Sequence, residues 1–191
     1  MIQMVRDINQ LEDDIGLAKR IIETVLYNDP DIVELIDNPN IDPESPEDLM
    51  YVNIFPFIRV PGVQDTSGSY ICYEVDDMSD ISRNDIMKQQ YIQFVVFVHD
   101  DVIKTKYGVP RHDAFGYVIR DLFNRSHLFG HELKLISNRG GTTDTDYYTR
   151  TLKFQLITPE VAQDGLFDNR YERLSLNRKD RKIVRENVQN Q

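Results

Sequence analysis

Glu132-Leu133-Lys134 sets a carboxylate and an ammonium two residues apart in a segment that reads as a strand, so both would project from one face. With Asp113 or Asp121 as a third group, such a set could hold a divalent cation while the lysine stabilises a phosphate or positions water, the chemistry of a metal-dependent nuclease. Against this, Glu-x-Lys is frequent on the wet face of strands. Asp113 and Asp121 also fall on a predicted helix, where that chemistry prefers a strand.

Other polar constellations are weaker. His127 and His131 have the four-residue spacing of a helical zinc pair, but Gly130 lies between them in what reads as a helix-to-strand turn. Neither a cysteine nor a further histidine completes a tetrahedral set. His99-Asp100-Asp101 reads as a charged strand end rather than a cation site. Arg139-Gly140-Gly141 lacks the Gly-Lys-Ser/Thr signature and the strand-loop-helix context of a phosphate loop, and reads instead as a flexible hairpin tip. Cys72, the single cysteine, sits in a β-rich run as a small buried side chain rather than a catalytic thiol, and fits folding in a reducing cytoplasm. The expectation is a protein with no catalytic residue, metal or cofactor, which works by binding.

The elements that must position these residues follow from periodicity. Between Asp13 and Tyr27, Ile15, Ala18, Ile21, Ile22, Val25 and Leu26 recur at spacings of three and four, predicting an amphipathic helix. Asn28-Asp29-Pro30 supplies a cap and a proline at the first helical position of a second short helix, Asp31 to Asp37. Pro39, Pro43 and Pro46 mark a loop, and Ser45-Pro46-Glu47-Asp48 starts one helical turn. From Met50 to Val60 the chain is apolar, yet Pro56 and Pro61 deny it a regular central ladder, so an edge strand or an extended crossing is expected. Gly62 to Ser69 is turn chemistry, Tyr70 to Val75 a strand, and Met78 to Gln90 polar and irregular.

Tyr91 to Val98 is the strongest strand, apolar on both faces, and thus either doubly covered or buried on one side against a neighbouring subunit. A helix from Pro110 to Asn124 presents Ala114, Phe115, Val118, Ile119, Leu122 and Phe123 to the sheet. Glu132 to Ser137 and Tyr148 to Ile157 form a hairpin around the polar stretch Asn138 to Asp146, with Leu133, Leu135, Leu152, Phe154 and Leu156 facing one way. The expected fold is a single α/β (α+β) domain over residues 1–160, a largely antiparallel or mixed sheet flanked by helices. A charged carboxy-terminal arm, 161–191, follows it.

Charge restricts the partners. The chain carries 22 Lys and Arg against 32 Asp and Glu, which opposes tight binding to phosphate backbones because that affinity rests on displacing counterions with basic side chains. An acidic surface suits a conduit through which DNA slides without sticking. Residues 169–191 break the pattern with seven basic and three acidic side chains, a basic arm on an acidic body. No apolar run approaches the roughly 20 residues of a bilayer span, and no export signal or membrane partner is expected.

The spacing of Tyr91–His99, the Arg111–Asn124 helix and the Glu132–Ile157 hairpin, with a final strand reading Tyr-Tyr-Thr-Arg-Thr-Leu-Lys-Phe-Gln-Leu, resembles the bacteriophage tail-terminator, or tail-completion, proteins. The likeness is one of element order over residues 13–158. It implies a structural virion protein of the tail-neck region, assembled in the host cytoplasm into a homo-oligomeric, hexameric ring that ends the tail tube and joins the tail to the head connector. Its implied partners are its own copies, the tail tube protein and the neck or head-connector proteins, with the tail sheath as a further candidate; genomic DNA passes through unbound. A stopper, adaptor or tube subunit of the same virion region, and the nuclease above, are the alternatives. In ring-forming tail proteins the hairpin loop reaches toward a partner, and tyrosine is enriched at interfaces. The expected contact residues are therefore Asn138, Arg139, Asp144, Asp146, Tyr147 and Tyr148 at the hairpin, and Arg170, Tyr171 and Arg173 in the arm.

Overall fold

The computed structural model describes residues 14–42, 45–62, 67–78 and 87–159. The first helix, α1 (Asp14–Asn28), follows the predicted periodicity and buries Ala18, Ile21, Ile22 and Leu26. The second, α2 (Pro30–Ile36), begins where the cap chemistry placed it: the Asp29 carboxylate accepts hydrogen bonds from the Asp31 and Ile32 amides at 3.0 and 3.1 Å. Such a cap stabilises a short helix by about 1 kcal/mol. Asp37 ends it in the left-handed conformation, φ 52°. A 3-10 turn at Pro46–Leu49 matches the expected helical turn.

Five strands follow, β1 (Ile54–Phe55), β2 (Ser69–Met78), β3 (Met87–His99), β4 (Lys134–Thr142) and β5 (Tyr147–Pro159), with α3 (Arg111–Phe123) between β3 and β4. They form one mixed sheet in the order β1-β2-β3-β5-β4, in which only β1 runs parallel to its neighbour. This is the expected α+β domain. Sequence position 87–90, expected to be irregular, belongs to β3 because those residues pair with the end of β5.

The two faces of the sheet differ. Ile71, Tyr73 and Val75 of β2, Ile92, Phe94, Val96 and Val98 of β3, and Leu152, Phe154 and Leu156 of β5 point toward the helices and form one core with Ile22, Leu26, Phe115, Ile119 and Phe123. Phe94 sits at its centre, its ring 4.8 Å from Phe123 and 5.8 Å from Phe154. Tyr73 is wholly buried, and its hydroxyl hydrogen-bonds Glu23 and the Lys19 carbonyl of α1; burial, then the nearby Glu23 charge, drives its acidity far below that of an ordinary phenol. On the opposite face a smaller cluster joins Phe55, Tyr70, Cys72, Val95, Phe97 and Tyr147.

The extended segment after β1 covers that smaller cluster. Pro56 and Pro61 keep it out of the ladder, as expected, and it crosses the face instead. The Cys72 thiol donates to the Arg59 carbonyl at 3.3 Å, and Thr145 donates to the Pro61 carbonyl at 3.3 Å. Coverage stops part-way along: Val95 and Phe97 are buried, whereas Tyr91 and Gln93 of the same strand are half-exposed. The strongest strand is thus doubly covered over only half its length. Burial raises the Cys72 thiol above its ordinary range, which fits a packed side chain and not a nucleophile.

Candidate interaction surfaces

The hairpin is the first surface. Its ladder runs further than expected: β4 extends through Asn138, Arg139, Gly140, Gly141 and Thr142, which pair with Leu152 to Tyr148, so the flexible tip expected at 138–146 is a tight turn over 143–146. Glycine usually signals a turn, but here it makes room. A Cβ on Gly141 would stand 2.9 Å from the Thr149 hydroxyl, and one on Gly140 3.4 Å from the Arg150 guanidinium. The turn itself is tied down. Thr143 Oγ1 accepts the amides of Thr145 and Tyr147 at 3.4 and 3.2 Å, and the Asp146 carbonyl accepts the Asp100 amide at 3.1 Å.

Of the expected contact residues, Arg139, Asp144, Asp146 and Tyr148 are exposed and Asn138 is half-buried on β4. Tyr147 is 2 % exposed, packed between Tyr70 and His99 at 6.1 and 5.0 Å, because strand alternation turns it into the smaller cluster rather than outward. It serves the fold and offers no surface. Arg170, Tyr171 and Arg173, and the arm as a whole, lie outside the described residues.

Beside the hairpin lies a cluster that periodicity did not reveal. Arg150 of β5 passes between Gly116 of α3 and Gly140 of β4, where a Cβ on Gly116 would meet Arg150 Cγ at 2.9 Å, and its guanidinium pairs with Asp113 at 3.1 Å. The His112 ring stacks on Tyr148 with centroids 5.7 Å apart. Burial, and secondarily the Arg150 charge, holds His112 below the usual histidine range, with Asp113 opposing. The signal available in sequence was Gly116 inside an otherwise regular helix, since glycine there costs helix stability unless close approach requires it.

The candidate metal ligands take other roles. Asp113 is engaged by Arg150, and Glu132 is exposed ahead of β4 rather than within a strand. His99 caps the turn that follows β3, its Nδ1 accepting the Asp101 amide at 3.2 Å. His127 and His131 fall in the turn between α3 and β4. Among the described residues there is no group of three or more His, Cys, Asp or Glu side chains that could hold a metal ion.

The second surface is apolar. Tyr51, Val52, Phe57, Ile58 and Val60 are between 40 and 64 % exposed, all within ten residues flanking β1. The sequence marked this stretch as apolar but could not tell that one set of side chains, Ile54 and Phe55, would take the available core while the rest stayed outside. A further exposed apolar side chain, Ile136 on β4, arises from a β-bulge: Leu135 pairs with Phe154 and Ser137 with Lys153, leaving Ile136 as the extra residue, 44 % exposed.

A protein-family model named YomW matches residues 21–156. The chain belongs to the YomW family. The match begins within α1 and ends within β5, so it takes in β1 to β4, the crossing segment and all but the last three residues of β5, and stops short of the basic stretch at 169–191. The family carries a gene name of the prophage type, which associates this YomW protein with a phage. No curated protein matches the chain. Among the described residues, no helix of the YomW chain is long and apolar enough to cross a membrane.

Proposed function

We propose that this YomW-family protein is a structural component of a phage virion, a subunit of a six-membered ring at the junction of tail and neck that ends the tail tube and joins the tail to the head connector. The observation that carries this reading is the apolar strip around β1. Five large apolar side chains within ten residues remain exposed, and apolar surface concentrated in this way is costly in water unless a partner covers it. The prophage-type family name and the order of strand, helix and hairpin support the phage setting.

The mechanism is fit rather than bond-making. Burial of the strip supplies affinity, the rigid hairpin end and the charged arm select the partner, and an acidic body lets DNA pass without being held. Neighbouring copies, the tail tube protein and the connector are the surfaces it meets.

Electron microscopy of phage particles carrying a labelled subunit tests this. Label at the top of the tail, together with unjoined heads and tails when the subunit is omitted, is the expected result. Particles that contain none of the protein and join normally without it would overturn the proposal.

A further inference from the structure

We propose that copies of this chain join head to tail through the two ends of the sheet, with the turn beside β1 on one copy set against the outer side of β4 on the next. The proposal rests on the ring reading above and adds which surfaces meet. The strand order β1-β2-β3-β5-β4 places these ends on opposite sides of the molecule, as a closed ring of identical subunits requires of its two contact sites.

The ends are chemically complementary. At the β1 end, Tyr51 and Val52 are 64 and 46 % exposed, next to the exposed carboxylates of Glu47 and Asp48. Of the eight acidic side chains in residues 29–48, Asp29 caps α2 and Glu34 and Asp37 pair with Lys106 and Arg111, so Glu47 and Asp48 are the carboxylates that set the sign of this border. At the β4 end, the bulge exposes Ile136 between the exposed Lys134 and Arg139. Each end has an apolar centre and a charged border, and the borders are opposite in sign; Glu132, at the foot of β4, is the exception.

The backbone adds a third reason. Among the described residues no strand pairs with the outer side of β4, and only its start is capped, by Asn124 Oδ1 accepting the Leu135 amide at 2.9 Å. An edge of this length without proline is normally covered or guarded, and two charged side chains guard it only lightly. Opposite charges favour the head-to-tail pairing, while two like ends repel, so the geometry selects the heterologous contact over a two-fold dimer.

The test uses the full chain carrying Val52→Cys and Ile136→Cys, treated with a bismaleimide cross-linker, with light scattering on the same sample. Both positions are exposed and the native Cys72 is buried, so the fold and the background are those of the unsubstituted chain. The expected result is a ladder of covalent multimers from the double variant and none from either single variant. Multimers in scattering without a ladder would overturn this pairing and leave the ring reading standing, whereas one-chain mass without a ladder would overturn both. Cross-linked dimers from Ile136→Cys alone would show like ends meeting and refute the head-to-tail contact. As a second arm, Arg139→Glu weakens self-association by about tenfold, and adding Glu47→Lys in the same chain restores it; equal association in all three chains would contradict the proposal.

Discussion

The two faces of the sheet are built from the same three long strands and differ in how far their packing extends. On the helical face, α1, α2 and α3 close over aromatic and aliphatic side chains along most of the sheet, and the buried Tyr73 hydroxyl is bonded to Glu23. On the other face, one crossing segment covers only the end nearest Phe97 and Tyr147, and leaves apolar side chains of its own outside. The comparison teaches that stability and assembly are divided between the faces: the first makes the fold, and the second ends in surface that a single chain does not cover.

The largest break in that comparison is Phe94→Ala. It opens a cavity at the meeting point of Tyr73, Phe123 and Phe154, and a loss of about 3–5 kcal/mol of unfolding free energy is expected by denaturant titration. Phe97→Ala on the opposite face sharpens it. The smaller cluster lies under one extended segment that can collapse toward the gap, so the loss should be smaller, by about 1 kcal/mol or more. Equal losses would mean that the crossing segment packs as firmly as the helices.

The next effect is one of pH and belongs to the joint between α3 and the hairpin. His112 is held neutral by burial, so its folded-state value lies below 6.5. As pH falls through that ordinary value the unfolded chain takes up a proton that the folded chain resists, and stability declines until the folded-state value is reached. Tm should therefore fall between pH 7 and pH 5, and His112→Gln should flatten that part of the profile; an unchanged slope in the variant would assign the pH dependence to other groups. Smallest of all is the effect of Phe57→Ser on stability. Phe57 is 43 % exposed and its ring meets Phe55 edge-on at 5.7 Å, so its loss should lower the unfolding free energy by about 1 kcal/mol while reducing self-association measured by sedimentation.

Much of this architecture can be read from residue types. The Asp29 cap followed by Pro30, the 3.6-residue period of α1 and α3, and the unbroken apolar run of β3 each admit one local structure, and each forms it. The proline-bounded segment 56–61 also behaves as its chemistry requires. Misreadings come where a residue serves a neighbour distant in sequence. Gly140 and Gly141 look like turn residues because the side chains they accommodate, Arg150 and Thr149, lie across the ladder, and Tyr147 looks like an interface tyrosine because Tyr70 and His99 come from other strands. Of the expected contact set, the hairpin's exposed charges stand at the surface, but the exposure of the apolar strip and of Ile136 was not legible: periodicity gives the pattern of apolar residues, not whether the core has room for them.

The central claim is that this protein acts by assembling with copies of itself. Light scattering of the intact chain across a concentration series tests it most directly. The account predicts a species of about six times the 22.4 kDa chain mass that gives way to smaller species on dilution, and more readily in the Phe57→Ser variant. A mass of one chain at every concentration, in the native protein and the variant alike, would contradict it.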